Sequence, residues 1–111
     1  MSIEQINGAN LITFNEDRLD KLHAVQFKDR MKEIIINNSN KIALDMSKIG
    51  FMDSSGLGAI VNSLKLVGPD GEIVLANVNQ PVRQMLDLTR MVRVFRIADS
   101  VSEALDYLNT K

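Results

Sequence analysis

The sequence contains no cysteine and no tryptophan, and only one histidine, one tyrosine and two prolines in 111 residues. Without cysteine there is neither a disulfide framework nor a thiolate metal centre, and the absence agrees with a reducing compartment. His23 has no second histidine or cysteine with which to complete a metal site or a catalytic dyad. An excess of one charge is also missing. The 13 Lys+Arg stand against 14 Asp+Glu, a net charge of -1, which gives no electrostatic ground for a nucleic-acid partner. No apolar run approaches the roughly 18 residues of a membrane-spanning helix, and Met1-Ser2-Ile3-Glu4-Gln5 lacks a basic segment followed by an apolar one. The expectation is a cytoplasmic protein with no membrane partner.

What is present is 45% apolar residues in a chain of single-domain length. Such a chain buries roughly 65% of its unfolded surface and needs no structural metal to fold. There is no internal repeat, low-complexity tract or interdomain linker, so one domain is expected over residues 1–111.

Ile3 to Asn7 and Asn10 to Phe14 alternate locally around Gly8-Ala9 and predict a hairpin. Between Leu22 and Ile36, Ala24, Phe27, Met31, Ile34 and Ile35 recur at helical spacing opposite Lys28, Asp29 and Lys32, predicting a first helix. Asn37-Asn38-Ser39-Asn40 breaks it, and Lys41 to Met46 reads as a strand apolar on both faces, hence central in a sheet. Ser54 to Val67 carries Leu57, Ile60, Val61, Leu64 and Val67 on one stripe, the second helix. After the turn Gly68-Pro69-Asp70-Gly71, Glu72 to Ala76 is a second inner strand, parallel to the first because a helix crosses between them in a right-handed connection. Gln80-Pro81 opens a third helix with Val82, Met85 and Leu86 on its apolar face, and Val92 to Ile97 is expected as a last strand. Ser100-Val101-Ser102-Glu103 reads as a capping box ahead of a final helix. The fold class is α/β: a mixed, mostly parallel sheet of four to five strands packed with about four helices.

The sharpest local signal is Phe51-Met52-Asp53-Ser54-Ser55-Gly56-Leu57-Gly58, which follows the central strand and opens the second helix. A helix start offers unpaired N–H groups and the positive end of the dipole, so a phosphorylated side chain is stabilised there. A plainer reading fits the same residues: Asp53 or Ser54 is an N-cap worth about 1 kcal/mol, and the glycines permit a tight turn and close packing. A phosphate-cradling nucleotide loop does not fit, since no lysine follows the second glycine until Lys65.

The segments Ala43-Leu44-Asp45-Met46-Ser47 and Phe51 to Gly58 resemble the signature of the STAS domain of anti-sigma factor antagonists. The resemblance continues through Gly71 to Leu75, Val82 to Thr89, Val94 to Ile97 and Glu103 to Leu105, nearly the whole chain. It implies a single STAS domain that binds a serine kinase acting also as an anti-sigma factor. Phosphorylation at Ser54, the first serine of the motif, releases the partner, and a metal-dependent serine phosphatase resets the protein. It further implies a partner-binding set of Met52, Asp53, Ser54, Ser55, Gly56 and Leu57, with Ser55 the competing acceptor.

On this reading the chain is a substrate rather than an enzyme and carries no cofactor or metal. The kinase supplies the nucleotide, the metal and the base. A hydrolase using Ser54 as nucleophile is disfavoured because no Gly-x-Ser-x-Gly elbow is present. The alternative from another class is a non-phosphorylated STAS subunit of a sensing or transporter-associated complex. A monomer or weak dimer is expected.

Two stretches depart from the family pattern. Arg90-Met91 replaces the usual glycine-leucine, either as a solvated helix-end cation or as a partner contact, and Asn15 to Asp20 lacks the usual glycine before Leu19-Asp20. Met31 and Met85 are expected in the core, Met52 and Met91 near loops or a partner surface, and His23 in a surface or half-buried packing role.

Overall fold

The computed structural model describes residues 1–37 and 40–110. The alternation at the start folds into a hairpin of β1 (Ser2–Ile6) and β2 (Ala9–Thr13). Its turn is Asn7-Gly8, with φ of 51° and 85°, rather than Gly8-Ala9. Two successive positive φ values are what a two-residue hairpin turn of type I′ requires, and Asn-Gly supplies them with least strain. Ala9 already belongs to β2 and is buried.

The chain continues through β3 (Arg18–Leu19), α1 (Lys21–Asn37), β4 (Lys41–Asp45), β5 (Phe51–Met52), α2 (Ser54–Val67) and β6 (Glu72–Ala76). It ends with α3 (Gln80–Leu88), a 3₁₀ turn (Met91–Arg93), β7 (Arg96–Ala98) and α4 (Val101–Asn109). α1 stops where the asparagine-rich break begins; Asn38 and Ser39 of that break lie outside the described residues.

The main sheet has the order β1-β2-β4-β6-β7, antiparallel between β1 and β2 and parallel elsewhere. With four α-helices packed on it, this is the expected fold class. β4 is central, and Ile42, Ala43 and Leu44 are buried on both its faces.

Because side chains alternate along a strand, the sheet has two different faces. The front presents Ile12, Ile42, Leu44, Ile73 and Leu75 to Phe27 and Met31 of α1, Ile60 of α2 and Leu86 of α3. Each large side chain buried there contributes about 1.5–3 kcal/mol of transfer free energy. The back presents Ala9, Ala43, Val74 and Ala76 to Ala104 and Leu108 of α4.

Two expectations need correction. The last strand is Arg96–Ala98, not Val92 to Ile97. The chain leaves α3 through Arg90 in the left-handed region (φ 62°), forms the 3₁₀ turn, and reaches the register of β6 only at the pairs Val74↔Arg96, Leu75↔Ile97 and Ala76↔Ala98. The sequence reading also missed a separate two-stranded parallel sheet of β3 and β5, paired Arg18↔Phe51 and Leu19↔Met52. Strands of two residues are too short to show a period.

Candidate functional site

The site grows out of the loop after β4. Ser47 N–H donates to Asp45 Oδ1 at 3.1 Å, and Asn77 Nδ2 donates to the same oxygen at 3.2 Å. Asn79, the N-cap residue of α3, makes no side-chain bond to its own helix. Its Nδ2 instead donates to the carbonyls of Ser47 and Ile49, both at 2.9 Å. Met46 and Ile49 are buried beneath. The loop is thereby fixed from two sides before the chain enters β5.

Asp53 follows β5 and opens α2 in an extended conformation (φ -99°, ψ -175°). Its Oδ1 accepts from Gly56 N–H at 2.9 Å, so of the two N-cap candidates, Asp53 and Ser54, it is Asp53 that caps. Its Oδ2 accepts from the backbone N–H of Lys21 at 3.0 Å, the first residue of α1. One carboxylate therefore serves the starts of two helices, where both dipoles favour negative charge. At α1, Asp20 Oδ1 accepts from His23 N–H at 3.1 Å, and His23 Nδ1 lies 2.7 Å from the same oxygen. The His23 side chain, then its backbone N–H, hold the Asp20 carboxyl below its ordinary pKa. His23 is half-buried, with Nε2 3.6 Å from Glu16.

Gly56 is the residue that lets α2 press against β3. A Cβ there would overlap the carbonyl oxygen of Leu19 on β3. Gly58, by contrast, faces open space, so the two glycines of the motif do different work.

The predicted site residues separate by exposure. Ser54 and Ser55 are exposed on the first turn of α2, and Asp53 is half-buried. Met52 and Leu57 are 6% and 8% exposed and join the core, and Gly56 is buried. The expectation of Met52 near a partner surface is corrected: pairing with Leu19 turns its side chain inward and leaves Phe51 half exposed instead. Met85 and Met91 are partly buried against the core. Sequence reasoning missed Leu22 and Val25 of α1, which are 73% and 62% exposed and line a shallow apolar groove with Asp53. Their signal was available, since both lie off the stripe of Ala24, Phe27, Met31 and Ile34. On the other flank, Ser54 and Ser55 border a groove of about 600 Å³ reached by Lys28 of α1, Lys65 of α2 and Met91.

Chemically, the arrangement offers an exposed hydroxyl at a helix tip, bordering a groove that two lysines and several apolar side chains also line. No cluster of histidine, cysteine, aspartate or glutamate able to hold a metal occurs among the described residues. No described helix is long and apolar enough to cross a membrane.

Comparison with known proteins bears on nearly the whole chain. Residues 1–104 match the family described as the STAS domain. The anti-sigma F factor antagonist of Paenibacillus polymyxa is 38% identical over 68 residues, 60% of this chain and 58% of that protein. The crystal structure of a candidate anti-sigma factor antagonist from Thermotoga maritima superposes with a TM-score of 0.89 at 30% identity, covering 96% of this chain and 92% of that one. The Bacillus cell-fate determinant SpoIIAA, solved in its phosphorylated form, shares the fold at 20% identity and a TM-score of 0.73, covering 96% and 97% of the two chains.

Proposed function

Because the chain belongs to the STAS domain family, we propose that it is a regulatory binding protein switched by phosphorylation of Ser54. Unphosphorylated, it binds a serine kinase that serves as an anti-sigma factor; phosphorylated, it lets that partner go. The observation that carries this reading is the exposed Ser54 hydroxyl on the first turn of α2, next to an Asp53 carboxylate already engaged by two helices.

The chemistry divides between the two proteins. This chain supplies the acceptor oxygen, which attacks the terminal phosphorus of the nucleotide while the bridging bond to the leaving diphosphate breaks. The kinase supplies the nucleotide, the metal and the base that takes the serine proton. The product carries about -1.5 to -2 charges and three acceptor oxygens beside Asp53. The exposed apolar side chains of the neighbouring groove, Leu22 and Val25, then share the docking surface at Asp53 with a strongly hydrated dianion, which opposes their burial by a partner. A metal-dependent serine phosphatase restores the hydroxyl. The site needs no cofactor, the protein acts in the cytoplasm as a monomer or weak dimer, and Ser55 is the lesser acceptor.

Titration calorimetry with the kinase tests this. Ser54→Ala binds constitutively and Ser54→Asp binds weakly; equal affinities would remove the switch. Fragment mapping of protein from its native cells, grown with and without stress, places a single condition-dependent phosphate on Ser54. A phosphate mapped to Ser55 alone would move the site, and none under any condition would favour the non-phosphorylated subunit.

A further inference from the structure

Four of the chain's six arginines fall between residues 83 and 96, with Asp87 the sole acidic residue among them, in a protein of net charge -1. The fold gathers three of the four. Arg83 on α3, Arg93 at the end of the 3₁₀ turn and Arg96 on β7 line a cleft of about 440 Å³, together with Glu72 and the exposed Val94.

The arginines are held to different degrees. The Arg96 guanidinium lies over the Tyr107 ring, 4.0 Å from its centroid, which fixes its plane while leaving N–H edges for a ligand. Arg83 has a loose pair with Asp87 at 3.7 Å, one turn along α3. Arg93 makes no ion pair among the described residues.

Beside them runs an open edge. β7 pairs with β6 alone among the described residues, so its outer side offers backbone donors and acceptors to another strand. The cleft lies at the N-terminal end of the β6–β7 pair, whereas Ser54 follows the C-terminal end of the parallel strand β4. The 3₁₀ turn stands between the two surfaces: Met91 borders the Ser54 groove and Arg93 borders the cleft.

We propose that this cleft is a second docking site, taking an acidic, extended segment of a protein partner along the β7 edge. Planar guanidinium groups match carboxylates bidentately, Val94 gives one apolar contact, and the strand edge gives main-chain bonds. Nucleic acid fits less well, because Glu72 lines the cleft and the rest of the chain is net acidic, so a phosphate backbone would be repelled beyond these few residues. The proposal does not depend on the Ser54 switch.

The test is a titration of the isotope-labelled full chain, followed by amide chemical shifts, with a short alternating Glu-Val peptide as probe. Shifts are expected at residues 93–98 and Tyr107, with binding weakened about tenfold in Arg93→Glu. Arg93 is exposed, so this variant keeps its melting temperature, and Ser54→Asp retains affinity within about twofold. The proposal is overturned if millimolar peptide causes no shifts, if the shifts gather at residues 53–58, or if Arg93→Glu binds as well as the parent. It is equally overturned if inorganic phosphate alone reproduces the shifts, or if a single-stranded oligonucleotide binds the cleft more tightly than the peptide.

Discussion

The starts of α2 and α4 use the same device and differ in its reach. At α4, Ser100 Oγ accepts from Glu103 N–H at 3.1 Å, and the Glu103 carboxylate accepts from Asp99 N–H at 3.2 Å. Every partner lies within five residues. At α2, the Asp53 carboxylate accepts from Gly56, three residues on, and from Lys21, thirty-two residues back. The first is a helix cap; the second is a joint of the tertiary structure that also caps. A side chain can therefore perform one local duty in two settings and have quite different weight in the fold.

That difference can be tested by how much each start loses. The largest effect is expected from Gly56→Val, because a Cβ meets the backbone of Leu19, which cannot move without disturbing the β3–β5 pair. A loss of about 3 kcal/mol is expected by denaturant titration, and an unchanged midpoint would break the picture of α2 pressed on β3. Asp53→Ala comes next, at about 2 kcal/mol, since it removes a cap and leaves the Lys21 N–H without its carboxylate. Ser100→Ala is expected to cost only about 1 kcal/mol. Equal losses in these two variants would mean the long-range bond contributes nothing and the comparison fails.

The smallest effect has the opposite sign and concerns the end of α3. Arg90 holds φ 62°, a region where a side chain is strained and glycine is not. Arg90→Gly is expected to raise stability by about 0.5 kcal/mol. A decrease in melting temperature would show that the arginine side chain compensates for its own backbone.

The same contrast decides what could be read from the residues alone. α4 was legible down to its cap, because Ser100 and Glu103 are neighbours in sequence and the apolar stripe follows at once. The hairpin and the two inner strands were legible for the same reason: their signals are local alternation or a continuous apolar run. At the candidate site an exposed Ser54 and a cap at Asp53 or Ser54 follow from the motif and the helix start, and the structure assigns the cap to Asp53. The bond to Lys21 and the contact of Gly56 with Leu19 do not, since they join segments more than thirty residues apart. Met52 was misplaced because its inward turn is set by β3, a strand without a sequence pattern of its own. Val92 and Val94 look like strand residues, yet the left-handed backbone at Arg90 delays β7 to Arg96.

The unequal faces of the main sheet carry a consequence for how freely this protein can be redesigned. On the front, Ile12, Ile42, Leu44, Ile73 and Leu75 meet three helices, so a change of volume at one position can be absorbed by repacking at several others. On the back, Ala9, Ala43 and Ala76 lie under one nine-residue helix, α4, whose Ala104 is itself fully buried. At these four alanines there is no spare methylene to trade. A saturation library over both faces would recover varied aliphatic combinations from the front and from Val74 and Leu108, but little beyond alanine at positions 9, 43, 76 and 104, so the informational content of the fold is concentrated where its side chains are smallest.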